Sequence, residues 1–174
     1  MHYQPLDQTR ITLSKGCLPD QSKAQMSCPD NWTEIDGKCY RVFTLSKTCS
    51  EAKTHCSNME VTCDGQDTTG HLATVPDRKT QKMLHELVKN TITEENGWAF
   101  IGLEYDTTRE ADTWTDELRV DRTFWTKHEP CNEEPGTCAA ITLDNKRLKN
   151  WVAKTEGTRG NHICMLSCTK EING

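Results

Sequence analysis

The chain has no run of about 18 apolar residues, the length a membrane-spanning helix requires, so no segment is expected to cross a bilayer. It has no block of lysine and arginine. Its 21 basic residues are interspersed with 26 acidic ones for a net charge of −5, which argues against nucleic acid or an anionic membrane as the main partner. Cysteines are plentiful, yet none forms the CxxC pair that zinc modules use. No G-x-S-x-G nucleophile motif occurs and no pair of acids is marked for proton transfer, so no catalytic activity is expected. Internal repeats are absent. Hydrophobic residues make up 34% of the chain and mean hydropathy is −0.77, so the apolar core is modest and needs bracing. The opening MHYQPLDQTRITLSKG lacks the apolar centre of a signal peptide. Met1 is read as a start or a processed end, not as a mark of cytosolic life.

What the chain does have is 174 residues, enough for one domain plus a tail, and ten cysteines at 17, 28, 39, 49, 56, 63, 131, 138, 164 and 168. An even number at these spacings reads as a disulfide framework formed in an oxidising, extracellular setting. The sequon Asn31-Trp32-Thr33 agrees and makes Asn31 a glycosylation candidate. Spacing alone leaves about 945 pairings open. Each bridge stabilises by roughly 2–4 kcal/mol.

Residues 1–27 are polar and aperiodic and read as a tail or stalk; 28–174 read as the domain. Asp36-Gly37 predicts a turn and Cys39–Phe43 a strand. Thr48 and Glu51 fit a capping box that opens a helix running to about Cys56. Asn58–Gly70 reads as a loop and His71–Val75 as a short strand. Pro76-Asp77 opens a second helix with Met83, Leu84, Leu87 and Val88 on one face. Ala99–Leu103 predicts a central strand. Residues 104–135 carry no helical period, and a connection of that length is expected to be functional. Cys138–Leu143 predicts a buried strand, and Lys149–Val152 and Asn161–Met165 the last two. The sum is an α+β domain with two early helices and mostly antiparallel strands.

Taken in order, CPDNWTEIDGKCY, CSEAKTHC, GHLATV, AFIGL, TWTDE, FWTKHEP, CAAITL, NW and HIC resemble the motifs of the C-type lectin-like domain, in its long form with an opening hairpin. The resemblance covers about residues 28–168. It implies a fold of two helices packed on antiparallel sheets, termini that lie together, and a long loop region bearing the binding surface. It also implies the pairs Cys28–Cys39 and Cys56–Cys164. The family joins the Cys138 position to a cysteine five residues after the late tryptophan, which is Glu156 here. Cys138 therefore needs another partner, and Cys131 is the nearest in sequence. Of the remaining cysteines, Cys49–Cys63 is expected as a local pair and Cys17–Cys168 as a bridge between the termini. Cys17 could instead link two chains into a homodimer. Trp32, Trp114, Trp125 and Trp151 stand at structural tryptophan positions and are expected to pack. Trp98 is less constrained. His71 is expected at the core edge and His128 as an exposed loop histidine.

In sugar-binding relatives of this kind a calcium ion on the long loop touches the sugar directly. Calcium takes about 6–8 oxygens. The resemblance places the ligand triplet on Glu129, Pro130 and Cys131, the second acid on Gly136, and the final pair on Val152 and Ala153. Of these side chains only the Glu129 carboxylate is an oxygen donor, and sulfur is a poor calcium ligand. Asn132, Glu133 and Glu134 could rebuild a site by a local shift. An auxiliary calcium position would draw on Asp106 and Glu110, displaced by one residue, with Glu129 and Asn132.

The expectation is thus an extracellular recognition module, secreted or part of a membrane protein's ectodomain. It would bind a protein or a glycan without the usual calcium bridge, would require no cofactor, and could carry one structural calcium. Contacts are expected from Glu129, Asn132, Glu133 and Glu134, and from Lys146, Arg147 and Lys149 on the adjoining hairpin. Two alternatives stay open: a calcium-dependent lectin with its site shifted around Glu129, and a structural or matrix domain.

Overall fold

The computed structural model describes residues 27–63, 66–106, 111–130, 137–143 and 150–168. The elements run β1 (Thr33–Ile35), β2 (Lys38–Lys47), α1 (Cys49–Ser57), β3 (Val61–Cys63), β4 (Gln66–Thr68), β5 (Gly70–Leu72), α2 (Arg78–Thr91), β6 (Trp98–Asp106), β7 (Ala111–Trp114), β8 (Cys138–Thr142), β9 (Trp151–Lys154) and β10 (Gly160–Leu166). The main sheet has the order β1-β2-β10-β6-β8-β9, with β5 paired to β10 and β7 to β6. All its ladders are antiparallel except β10 against β6.

Local chemistry sets the early elements. Asp36 and Gly37, both at positive φ, turn β1 into β2, as the Asp-Gly pair predicts. The capping box forms: the Thr48 hydroxyl accepts from Glu51 N, and the Glu51 carboxylate accepts from Thr48 N at 2.9 Å. Asp77 caps α2 by accepting from Thr80 N at 2.7 Å.

Alternation along the strands divides the buried side chains between two layers. Ala99, Ile101, Ala139, Ile141, Ile163 and Met165 join Leu84 and Val88 of α2, with Trp114 and Trp151, in the larger cluster. Phe100, Cys138, Ala140 and Cys164 join Cys49, Ala52 and Cys56 of α1 in the second. On α2, Met83 departs from the expected apolar face and is exposed, and Leu87 is only partly buried, while Thr80 and Gln81 are buried. Gln81 is buried because it is a polar hub. It accepts from Trp151 Nε1 at 2.7 Å and donates to Asn150 Oδ1, and Asn150 Nδ2 donates to the Thr142 carbonyl at 2.9 Å. A buried amide without such partners would cost about 1–3 kcal/mol.

The segment 58–70, expected as a loop, contains the β3–β4 hairpin, with Val61 opposite Thr68 and Cys63 opposite Gln66. Thr68 Oγ1 donates to the Ser167 carbonyl at 3.2 Å and so lays the hairpin against the end of β10.

Among the described residues, four disulfides close the frame. Cys28–Cys39 and Cys56–Cys164 match the pairs the resemblance implies. The other expected pairings are corrected: Cys49 bonds Cys138, and Cys63 bonds Cys168. The reason is geometric. Cys49 opens α1, whereas Cys63 stands on β3 in the hairpin that lies against the end of β10. Cys49 instead faces Cys138 across the α1 layer, with 6.4 Å between their Cα atoms. Cys63 is carried by its hairpin to Cys168, where both are buried beside Cys39 and Leu166. Cys138 and Cys168 are thereby unavailable to Cys131 and Cys17, which themselves lie outside the described residues.

Candidate functional site

The segment from Phe124 to Glu129 is stitched to the start of β9 by the backbone. Trp151 N donates to the Phe124 carbonyl at 3.0 Å, Thr126 N to the Trp151 carbonyl at 2.9 Å, and Glu129 N to the Thr126 carbonyl at 3.2 Å. Beneath this run, Trp114, Phe124 and Trp125 each meet the Trp151 ring edge-on at 5.4–5.8 Å. The packing explains why a strand-free segment is held in one place: aromatic pairs add about 0.5–1.5 kcal/mol beyond their burial. It ends at a cis Glu129–Pro130 peptide, just after His128 at φ 72°.

Glu129 is half-buried, and its Oε2 accepts from the Ala153 backbone N–H at 2.9 Å. The carboxylate that the sequence singled out is thus turned to a neighbouring strand. Ala153 lies opposite Ala139 on β8, one pair along from Lys154 opposite Cys138. Neither Val152 nor Ala153 carries a side-chain oxygen, and as successive strand residues they point to opposite faces; Val152 packs on the cluster around Cys138 and Phe100. Beyond it, Lys154 Nζ lies 4.7 Å from the centre of the Trp98 ring. Behind β8, Lys53 Nζ pairs with Glu104 Oε2 at 2.8 Å and ties α1 to β6.

The described donors do not fit a calcium ion. One carboxylate with an oxygen already holding a backbone N–H falls far short of about 6–8 oxygens. Among the described residues, three groups of histidine, cysteine and acid converge closely enough to share an ion, and none includes Glu129. All three contain cysteines that are bonded in disulfides.

Of the remaining sequence-derived site residues, Asp106 ends β6, its backbone opposite Ala111. Glu110, Asn132, Glu133, Glu134, Lys146, Arg147 and Lys149 lie outside the described residues. His128 is exposed and His71 half-buried; Trp114 and Trp151 are buried, while Trp32, Trp98 and Trp125 are partly so. Asn31 is exposed in the turn before β1. Sequence reasoning missed the histidine pair of half-buried His55 and buried His162, whose ring nitrogens lie 2.7 Å apart. Its one signal was two histidines beside the paired cysteines Cys56 and Cys164.

This layout of two helices, a disulfide-braced mixed sheet and a long loop fastened over β9 is that of a recognition domain. The family profile described as Lectin C-type domain matches residues 45–166, more than half of the chain. The alpha-N-acetylgalactosamine-specific lectin of Patiria pectinifera is 32% identical over 165 residues, covering 91% of this chain and 92% of the relative. Snaclec A4 of Macrovipera lebetinus is 29% identical over 147 residues, covering 82% and 86%. Among solved structures, that of CEL-IV superposes with a TM-score of 0.73 at 30% identity, covering 85% of this chain and 99% of that one. The chain belongs to the C-type lectin domain family.

Proposed function

We propose that this domain is an extracellular recognition module that binds a glycan or a protein through its loop surface, without a calcium ion bridging to the ligand. The observation that carries this reading is the Glu129 carboxylate bonded to Ala153 N, on a strand whose Val152 and Ala153 carry no side-chain oxygen. Contact is assigned to Glu129, to Asn132, Glu133 and Glu134 beyond it, and to Lys146, Arg147 and Lys149. Acidic residues at 133–134 and basic residues at 146–149 would together orient a dipolar partner and speed its association. The work of the domain is binding, not catalysis. Four disulfides support an oxidising, extracellular location. With those four formed, Cys17 and Cys131 remain of the ten cysteines, and we assign Cys17 to a bridge between two chains.

The test is a glycan and protein array probed with and without EDTA, together with calcium calorimetry. Retention of binding in EDTA supports the reading. Saturable calcium uptake with EDTA-sensitive sugar binding overturns it in favour of a shifted site that uses Asn132, Glu133 and Glu134.

A further inference from the structure

His162 lies just past an irregularity in the β10–β2 register between Gly160 and His162. Such irregularities re-aim side chains. Here the ring is fully buried on the α1 side of the sheet, where its Nε2 is 2.7 Å from His55 Nδ1. Phe43 stacks on His162 with centroids 5.4 Å apart and meets His55 edge-on at 4.9 Å. His162 Nδ1 is buried with no hydrogen-bond partner among the described residues. Two neutral imidazoles suit this arrangement, because one ring donates a single proton and the other accepts it. Two imidazolium rings would set N–H against N–H, and charging His162 would leave an unanswered charge in the core.

We propose that His55 and His162 form an acid-sensitive latch that keeps the end of α1 tightly packed beside the Cys56–Cys164 bridge when both rings are neutral and loosens that packing, around the intact bridge, when they are protonated.

The surrounding charges favour this behaviour. From β2, Lys47 acts on both rings, and the Arg41 guanidinium lies 4.8 Å from the centre of the Phe43 ring. On α1, Glu51 is paired with Arg159, and Lys53 with Glu104 of β6. β5 contributes His71, opposite Met165. Burial first, then the His55 charge and the Lys47 charge, push His162 down from 6.5 to about 4. Burial and Lys47 push His55 down as well. The latched state therefore binds fewer protons than the open one, and latch stability falls as pH drops from 6.5 towards 4. The loosening is confined to the packing around the rings, because Cys49–Cys138 and Cys56–Cys164 keep α1 covalently tied to β8 and β10.

The test is amide hydrogen exchange of α1 at pH 7 and 4.5, corrected for intrinsic rates, on the wild type, His55→Gln and His162→Gln. The expected wild-type result is a fall in protection of about tenfold per pH unit below 6.5 for each proton taken up, with disulfides intact and the pH dependence reduced in both variants. A flat wild-type profile, or variants that keep the full dependence, would overturn the latch. If His162→Gln does not fold, His55→Gln and an NMR titration of the wild-type imidazoles decide. His162 titrating at or above 6.5 refutes the proposal.

Discussion

Removing Cys49–Cys138 by the double change Cys49→Ala and Cys138→Ala tests the corrected framework where it departs most from expectation. Along the sequence the bridge spans 89 residues, but the unfolded chain retains Cys56–Cys164. The shortest closed path then runs along α1 to Cys56, across to Cys164 and back to Cys138, a loop of about 34 residues. Loop-closure entropy for that length is about 4 kcal/mol at 25 °C, against roughly 4.6 for the uninterrupted loop. In a chain of this size about 1 kcal/mol moves the melting temperature by about 2–4 °C, so the variant should melt about 8–16 °C lower. Circular dichroism melts measure the shift, and non-reducing peptide mapping of the wild type checks the bond. A drop below about 3 °C, or a wild-type Cys131–Cys138 peptide, would refute both the pairing and the magnitude.

Three further outcomes are expected. Gln81→Leu strands the Trp151 indole N–H and the Asn150 carbonyl oxygen in the core, so urea unfolding should show a loss of about 2–5 kcal/mol at an unchanged m-value. Glu129→Ala removes a charged acceptor from Ala153 N and should cost about 1.5–3 kcal/mol in thermal melts, by the same amount with calcium or EDTA present; a calcium-dependent difference would revive the ion site. Non-reducing electrophoresis should show a dimer that Cys17→Ser abolishes, and a monomer in the wild type would assign Cys17 elsewhere.

Much of the fold was legible because local chemistry and global packing agree along most of this chain. The Thr48–Glu51 capping box and the Asp36-Gly37 turn each specify their own geometry within a few residues. The apolar run at 99–103 is central because both faces of β6 are covered, Phe100 towards α1 and Ile101 towards α2. The β3–β4 hairpin was also written, since Asp64-Gly65 separates two segments rich in β-branched residues, yet the abundance of polar residues around it argued for a loop. Two disulfides, Cys28–Cys39 and Cys56–Cys164, were legible through the family resemblance, and the other two were not. Locality in sequence favoured Cys49–Cys63, and only the fold shows that the start of α1 meets β8 while the β3 hairpin meets the chain after β10. The role of Glu129 was hidden for a related reason. Its residue type suggests an ion ligand, but the acceptor's use depends on a backbone N–H that register alone brings to it.

That register bears on the proposal that the loop needs no ion at its base. The segment after Glu129-Pro130 leaves from a carboxylate fastened to Ala153 and returns at Cys138, bonded to Cys49. Ala153 faces Ala139, the residue after Cys138, on paired strands. The two ends of the connection are therefore fixed side by side, one by a charge-assisted hydrogen bond and the other by a covalent bond to α1. A metal ion that gathers loop oxygens lowers the entropy of the loop it closes, and here closure is supplied by the sheet and the disulfide. Cutting one post at a time separates their contributions. If the posts alone close the loop, losing Glu129 should weaken ligand binding chiefly through slower association, because the contact surface must be reordered at each encounter, whereas losing Cys49–Cys138 should lower stability more than affinity.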